Sequence, residues 1–504
     1  MSTRKPAMLS ETYATASRSP RLPDRIEGSG LLVGWSMEQA HEKPNIGFAF
    51  GDACSKQSSA LVDPILFGAE GHLVTIASTG AGKGVGCIIP ALLTHHGPMI
   101  VVDPKGENAA VTRRYREEVL GQEVHVIDPM DIVAGQSACL NPLDAIDPAD
   151  PNCVDEAASL AESLSIHMKK DSHNQYWYSR GQHLVAALLL HAACCEDRTE
   201  RTLAGVRANL GLGMNGPSDG AVPDSGNPLY QLLKQSPHPE VRRAAASVRN
   251  LADTTLGSIV STAQDMVDFV RGAPVREATS SSSFSLEAVT HGEPMTIYIV
   301  LPPHMLESHA PLLRLWVNTL LKAIMRRRYR TPKSTMLILD EAAQLGEFPP
   351  LRQAITLMRG YGLQTWSFWQ DVSQLKHAYP TSWETIINNC QVVQAFGAPN
   401  MSAAKSLADL FVLMRPETVL DLDDDEMIVQ TRGDDAFIAR RPNYLADPAF
   451  AGRFDENPLY LNAPPSEQKK KPVKRLKNVY PREDEKRAET SEADAIADLL
   501  KRYD

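Results

Sequence analysis

The sequence predicts an α/β fold built on a mostly parallel sheet and interrupted by an all-helical insertion. Apolar strand-length runs recur at residues 72–77, 99–103, 124–128, 295–301, 336–340, 365–369 and 391–396. They are continuous rather than alternating, the pattern of strands buried on both faces. Helical patterns follow several of them, as the crossovers of a parallel sheet require. Between the third and fourth runs, residues 151–272 carry helical periodicity and no comparable strand run.

Length and charge narrow the class. A chain of 504 residues accommodates two or three domains, and its formal net charge of -10 excludes a coat of basic residues wrapped over nucleic acid. Any DNA contact is therefore local, as in a channel lining. The seven cysteines (Cys54, Cys87, Cys139, Cys153, Cys194, Cys195, Cys390) are scattered, odd in number and without C-x-x-C spacing. They read as reduced cytosolic thiols rather than zinc ligands or a disulfide framework. Residues 1–27 mix Ser, Thr, Pro and Arg without an apolar core, so they are expected to be flexible and resemble neither a signal peptide nor an anchor. The longest uncharged apolar runs fall short of the roughly 18 residues a membrane helix needs, and a soluble chain is expected.

The first run leads into Thr75-Ile-Ala-Ser-Thr-Gly-Ala-Gly-Lys83-Gly-Val-Gly86 and then an apolar helix. This strand, glycine turn, helix context marks a phosphate-binding loop. Gly80 and Gly82 let successive N–H groups face a phosphate, the helix start adds partial positive charge, and Lys83 reaches the β and γ oxygens. Ser78, Thr79, Gly80, Ala81, Gly82, Lys83, Gly84 and Val85 form the candidate nucleotide-binding loop. Two positions depart from the general pattern: Ala77 stands where the first glycine usually is, and Gly84 replaces the hydroxyl that Mg²⁺ normally receives.

Further along, Asp103-Pro-Lys-Gly-Glu107 ends the second run in a turn. The insertion follows, with helices expected over 154–169, 175–195 and 239–251 and a Gly/Pro/Ser/Asn-rich break over 211–227. Trp177 and Tyr178 sit in an apolar helical pattern and read as core. Residues 336–341, Met-Leu-Ile-Leu-Asp-Glu, place Asp340 and Glu341 at the carboxyl end of a buried strand, where open α/β sheets bind ligands. Asp340 is the candidate Mg²⁺ residue and Glu341 the candidate general base. Arg359 precedes the next strand, at an edge from which an arginine enters a neighbouring subunit's site as a finger. That strand ends in Gln370, the candidate γ-phosphate sensor. After Pro442 periodicity fades, and residues 461–504 are highly charged and expected to be disordered, ending in a short helix over 493–503.

With these motifs placed, the chain resembles the TraG-like coupling proteins of type IV secretion and conjugation over about residues 71–450. The family's phosphate loop often carries glycine after the lysine, as Gly84 does here. The order of Ile89-Pro90, Val102-Asp103-Pro-Lys-Gly-Glu107, Asp128-Pro129, Asn141-Pro142-Leu143, Leu339-Asp-Glu-Ala-Ala-Gln-Leu-Gly346, Arg359-Gly-Tyr-Gly362, Gln370-Asp-Val-Ser-Gln-Leu375 and Tyr444-Leu-Ala-Asp-Pro448 is also similar.

The resemblance implies a RecA-like P-loop ATPase that uses ATP and Mg²⁺ and assembles as a homo-hexamer around a channel. It divides the chain into a flexible start (1–27), a RecA-like domain in two parts (28–150 and 273–460), an all-helical substrate-engaging domain (151–272) and the charged tail (461–504). The implied partners are type IV secretion components and a cargo of DNA, single-stranded and carrying a relaxase, or an effector protein. Many family members carry N-terminal membrane helices; this chain is expected to be a soluble form, cytoplasmic or peripheral at the inner membrane through partners. Two other readings stay open: an FtsK/HerA-like double-stranded DNA translocase, and a nucleotide-binding cargo adaptor with little hydrolysis.

Overall fold

Seven of the strands lie parallel and side by side, and they are the seven apolar runs. The computed structural model describes residues 21–39, 62–68, 70–133, 135–165, 175–214 and 227–460. Of the expected flexible start over 1–27, residues 1–20 lie outside the described residues, as do the charged tail, its terminal helix and most of the glycine-rich break, whereas 21–27 are described and pack through Leu22 and Ile26. Its strands are β1 (Leu31–Gln39), β2 (Val62–Phe67), β3 (His72–Ile76), β4 (Met99–Val102), β5 (Glu123–Ile127), β6 (Met295–Ile299), β7 (Thr335–Leu339), β8 (Leu363–Trp369), β9 (Cys390–Ala395), β10 (Glu426–Thr431) and β11 (Phe437–Arg440). They form one eleven-stranded sheet in the order β2-β1-β11-β10-β9-β3-β8-β7-β4-β6-β5.

From β9 to β5 every neighbouring pair is parallel. β3, β4, β6, β7 and β8 are buried along their whole length, because helices cover both faces. From β9 to β2 every pair is antiparallel. This four-strand extension is absent from the reading of the sequence. β2 and β11 are mostly half-covered, so they lack the continuous apolar signal, and β2 carries Pro64, which suits an edge strand.

A chain of buried side-chain hydrogen bonds ties the extension to the parallel core. Trp366 on β8 donates to Thr75 Oγ1 on β3 at 2.8 Å, and Thr75 donates to Gln394 Oε1 on β9 at 2.7 Å. Gln394 Nε2 then donates to the Val33 carbonyl on β1 at 2.9 Å. β1 stands three places from β9 in the strand order, so the sheet curls enough to bring it back over the core.

Among the described residues, the stretch between β5 and β6 is helical: Cys153–Ser165, Gln175–Ala193, Leu203–Gly211, Pro228–Lys234, Pro239–Arg249, Asp253–Val267 and Ala273–Ala278. Its apolar faces join one core cluster with β6, β7 and the long helix Pro303–Met325. That helix makes the junction polar as well as apolar. Trp316 donates to the Leu140 carbonyl at 2.9 Å, Asn318 to Ser163 Oγ at 2.8 Å, and Lys322 to the Glu156 carbonyl at 3.1 Å. Trp177 is half-buried against this core, and with Tyr178 it lines an open groove of about 690 Å³ beside Thr254, Ser258 and Thr262.

At the chain's two ends, Leu22 and Ile26 pack against a cluster that contains Trp35, Leu93 and Phe450. Residues up to Asn457 form one unit; of the second, 458–504, only the turn Pro458–Tyr460 is described. No helix among the described residues is long and apolar enough to cross a membrane.

The Tyr444-Leu-Ala-Asp-Pro448 motif acquires a structural reason here. Asp447 is buried and accepts two hydrogen bonds on one oxygen, from Trp35 Nε1 at 2.8 Å and from the Asn443 N–H at 2.8 Å. It thereby pins the segment after β11 to β1. Trp35→Phe removes one donor from a buried carboxylate, and is expected to destabilise the fold by about 1–3 kcal/mol in urea unfolding monitored by circular dichroism. A change under a few tenths of that range would mean the segment is held by packing alone.

Candidate nucleotide site

The glycine loop leaves β3 with its first N–H already tied down: Ala77 donates to the Trp369 carbonyl at 2.8 Å, joining the ends of β3 and β8. The chain then turns through Gly80 and Gly82, whose φ values of 79° and 90° lie in the left-handed region that side chains disfavour. A Cβ at Gly80 or Gly84 would meet nothing within 4 Å, so the space over the loop is open to a ligand rather than filled by packing. The helix after Lys83 begins with a wide π-type turn, Gly84–Ile88, and continues as Ile89–Thr94. Its free N–H groups face the loop.

Strand order brings the catalytic candidates together. β8 lies between β3 and β7, so the ends of all three strands converge on one point. There the Glu341 Oε2 atom lies 3.5 Å from Lys83 Nζ and accepts a hydrogen bond from Gln370 Nε2 at 3.0 Å. The other Glu341 oxygen, Oε1, is buried and has no hydrogen-bond partner. A buried carboxylate oxygen without a donor fits a site that takes a water or a metal-bound water.

Gln370 is itself held from two sides. Its backbone N–H donates to Gln374 Oε1 at 2.9 Å, while Asp371 caps the helix Val372–Ala378 by accepting from the Gln374 N–H at 2.8 Å. The Gln-Asp-x-x-Gln spacing thus fixes the backbone from which the Gln370 side chain projects.

Asp340 is half-buried at the end of β7, and desolvation pushes its carboxyl up to about 6. Glu341 and Glu107 add to the rise, and Lys83 and Lys105 oppose it. Magnesium uses one or two carboxylates together with waters and phosphate oxygens, and Asp340 is placed to supply one.

Two residues at this site went unassigned in the sequence. Asp103, at the end of β4, is fully buried beside Asp340, since β4 and β7 pair Val102 with Leu339. It accepts from the Ala109 N–H at 2.8 Å and from Asn108 Nδ2 at 3.2 Å, clamping the start of the helix Glu107–Arg114. The clamp shapes the turn that carries Lys105 and Glu107, and Gly106 closes it with φ 71°. Arg441, just past β11, donates to the Ala81 carbonyl inside the glycine loop and lies 4.7 Å over the Phe396 ring. It forms one wall of a cleft of about 550 Å³ lined by Ser78–Ala81, Phe396–Pro399, Val419, Leu420, Leu422, Asp423 and Asp424. No local pattern marks Arg441, because its partner is 360 positions earlier.

Arg359 lies elsewhere. It is exposed in the turn Met358–Tyr361 before β8 begins, and its charge, after burial, helps lower His72 to about 4 at the first residue of β3. The seven residues of β8 separate it from Gln370, about 20 Å at roughly 3.3 Å per residue. Within one chain Lys83, Asp340, Glu341 and Gln370 converge, and Arg359 stands at the opposite sheet edge.

Asp103 generates a test of the electrostatics. Burial pushes it up to about 7, with the Asp340 and Glu107 charges in the same direction. A carboxyl raised in the folded state contributes most below its ordinary range, and that contribution is lost as pH rises through about 7. Asp103→Asn keeps an acceptor for Ala109 without the charge. It is expected to melt above the parent chain at about pH 8, with the gap narrowing as pH falls below about 7 and closing near the ordinary carboxylate value of 3.8. A gap independent of pH would place the cost of Asp103 in shape rather than charge.

Comparison with known proteins gives the chain a family and its fold a likeness. The family model described as "Type IV secretory system Conjugative DNA transfer" matches residues 38–411. A conjugal transfer protein TraG of Escherichia coli is 27% identical over 362 residues, which cover 67% of this chain and 54% of that protein. The type IV secretion system-coupling protein VirD4 of Bartonella quintana (strain Toulouse) is 24% identical over 344 residues, covering 67% and 52%. The chain thus spans about half the length of the curated relatives it matches. Among solved structures, the plasmid coupling protein TrwB in complex with a non-hydrolysable ATP analogue superposes with a TM-score of 0.57 at 17% identity, covering 74% of this chain and 85% of that one. At that identity the likeness is one of fold.

Proposed function

Because the chain belongs to the type IV secretory system conjugative DNA transfer family, we propose that it is an ATP-driven coupling protein that recruits substrate and pumps it toward a type IV secretion or conjugation channel. The cargo is single-stranded DNA carrying a relaxase, or an effector protein. The chain works as a homo-hexamer on the cytoplasmic side and meets the inner membrane through secretion partners. The helical segment 151–272 engages the cargo, and the RecA-like remainder supplies the motor.

The observation that carries the motor reading is the meeting of Lys83, Gln370 and Glu341 on one carboxylate, beside a glycine loop with open space above it. The backbone N–H groups from Ser78 to Val85 cradle phosphates, and the cleft walled by Phe396 and Arg441 takes the base and ribose. Lys83 exchanges its ion pair with Glu341 for the β and γ oxygens. Asp340 would hold a magnesium ion through its water shell, which matters more here because Gly84 brings no hydroxyl, and the bound ion would supply charge neutralisation at the phosphates.

Glu341 then takes a proton from the attacking water on its unpartnered Oε1. Gln370, bonded to the same carboxylate, orients that water and registers loss of the γ-phosphate. Arg359 cannot serve its own site across the length of β8, so it acts on the neighbour's, as head-to-tail packing in a ring permits.

Steady-state ATPase assays with single- and double-stranded DNA test the whole reading. DNA, single-stranded more than duplex, is expected to stimulate turnover. Lys83→Ala should lose turnover and nucleotide binding together, whereas Glu341→Gln should keep binding while turnover falls by about 10²-fold or more. Stronger stimulation by duplex would favour a double-stranded DNA translocase. ATP binding without turnover under every DNA condition would leave the cargo adaptor.

A further inference from the structure

Two stretches at opposite ends of the parallel sheet carry opposite charge. At the carboxyl ends of the strands, the rim of the nucleotide cleft runs Asp421-Leu-Asp-Asp-Asp-Glu426, acids interrupted only by Leu422, with Asp421, Asp423, Asp424 and Asp425 exposed. Asp423 and Asp424 line the cleft itself, beside Ser78–Ala81. At the amino ends, Arg328, Arg330, Lys333 and Arg359 are exposed around the starts of β3, β7 and β8. Arg330 pairs with Glu70, two residues before β3.

That basic edge is rigid. Arg327, buried at its centre, donates to the Val289 and Thr290 carbonyls at 2.9 Å and 2.9 Å, to Thr335 Oγ1 at 2.7 Å, and to the Tyr361 and Gly362 carbonyls at 2.9 Å and 3.1 Å. Every N–H of its guanidinium is used, and two of these bonds hold the turn that presents Arg359.

We infer that the acidic rim of one chain is the docking surface for the basic edge of a second copy, and that Arg328 and Lys333 seat Arg359 over the neighbour's phosphates. The inference rests on the proposed ring. A phosphate site rimmed with carboxylates repels its own ligand unless the rim faces cations, and the edge that bears Arg359 carries them. An acidic face and a basic face on opposite ends of one subunit form a heterologous pair, which gives a ring where the rotation between copies closes and is distinct from a two-fold contact. Complementary faces of this kind steer encounter and penalise wrong registers, since like charges placed together cost several kcal/mol.

Charge reversal tests the pairing on the full chain. Asp421→Lys/Asp425→Lys reverses the rim without touching the cleft lining, and Arg328→Glu/Lys333→Glu reverses the edge without touching Arg359. Assembly is read by mass photometry with ATP and single-stranded DNA, with melting curves to confirm folding. Each double variant is expected to need about tenfold more protein for half-assembly, with specific ATPase falling in step, and the variant carrying all four changes to recover most of both. Reversals without effect on a parent chain that assembles would overturn the pairing alone. A parent that never assembles would overturn the ring reading and this inference with it. Loss of DNA binding by the edge variant, with the rim variant silent, would assign the basic edge to nucleic acid and also overturn the pairing.

Discussion

One carboxylate organises the site. Glu341 receives Lys83 from the strand β3 side and Gln370 from β8, while its own strand is β7. The convergence is a consequence of strand order: with β8 placed between β3 and β7, the chain ends of three parallel strands fall within side-chain reach of one another. Had β7 been next to β3, Gln370 would lie on the far side of the acid it contacts. The antiparallel extension then supplies what the parallel core lacks, since β11 delivers Arg441 to the Ala81 carbonyl and so fixes the loop over which Lys83 moves.

The cost of this arrangement is electrostatic. Asp103, Asp340, Glu341 and Glu107 crowd the ends of β4 and β7, and Lys83 and Lys105 are the cations set against them. Burial and mutual repulsion raise both aspartates, so the folded chain without ligand holds them uneasily ionised near neutral pH. Hydrogen bonds offset part of the penalty. Asp103 has two donors from the helix it clamps, whereas Glu341 keeps one oxygen with none. The contrast separates a carboxylate that shapes the site from one whose second oxygen is left open.

What could be read in the sequence follows the same division between local and distant partners. The parallel strands were legible because burial on both faces removes polar positions and leaves uninterrupted apolar runs. β1, β2, β10 and β11 were not, because half-covered strands such as β2 and β11 mix polar and apolar residues without a clean period. Lys83, Asp340, Glu341 and Gln370 were legible because each sits in a short motif at a strand end. Arg441 depends on a partner 360 positions earlier. The Asp103 clamp on Asn108 and Ala109 is local, and only its place beside Asp340 depends on β4 settling against β7. Arg359 was legible in place as well, ahead of the strand that ends in Gln370, and the length of β8 then separates the two.

A motor also needs a path from phosphate to cargo, and the fold has a short one. The helix Pro303–Met325 connects β6 to β7, the strand that ends in Asp340 and Glu341. Along its length it is bonded to the helical segment and its approach, at Leu140, Glu156 and Ser163, and its apolar face belongs to the same core as that segment. A close-packed interior transmits a displacement instead of absorbing it. In the proposed reading, a shift of β7 on loss of the Glu341 contacts therefore tilts this helix and the helical segment fastened to it, while Arg327, at the helix's far end, carries the same motion to the turn of Arg359. One helix thus joins three places that the proposed cycle must move together: the hydrolytic acid, the cargo-engaging helices and the arginine offered to the next subunit.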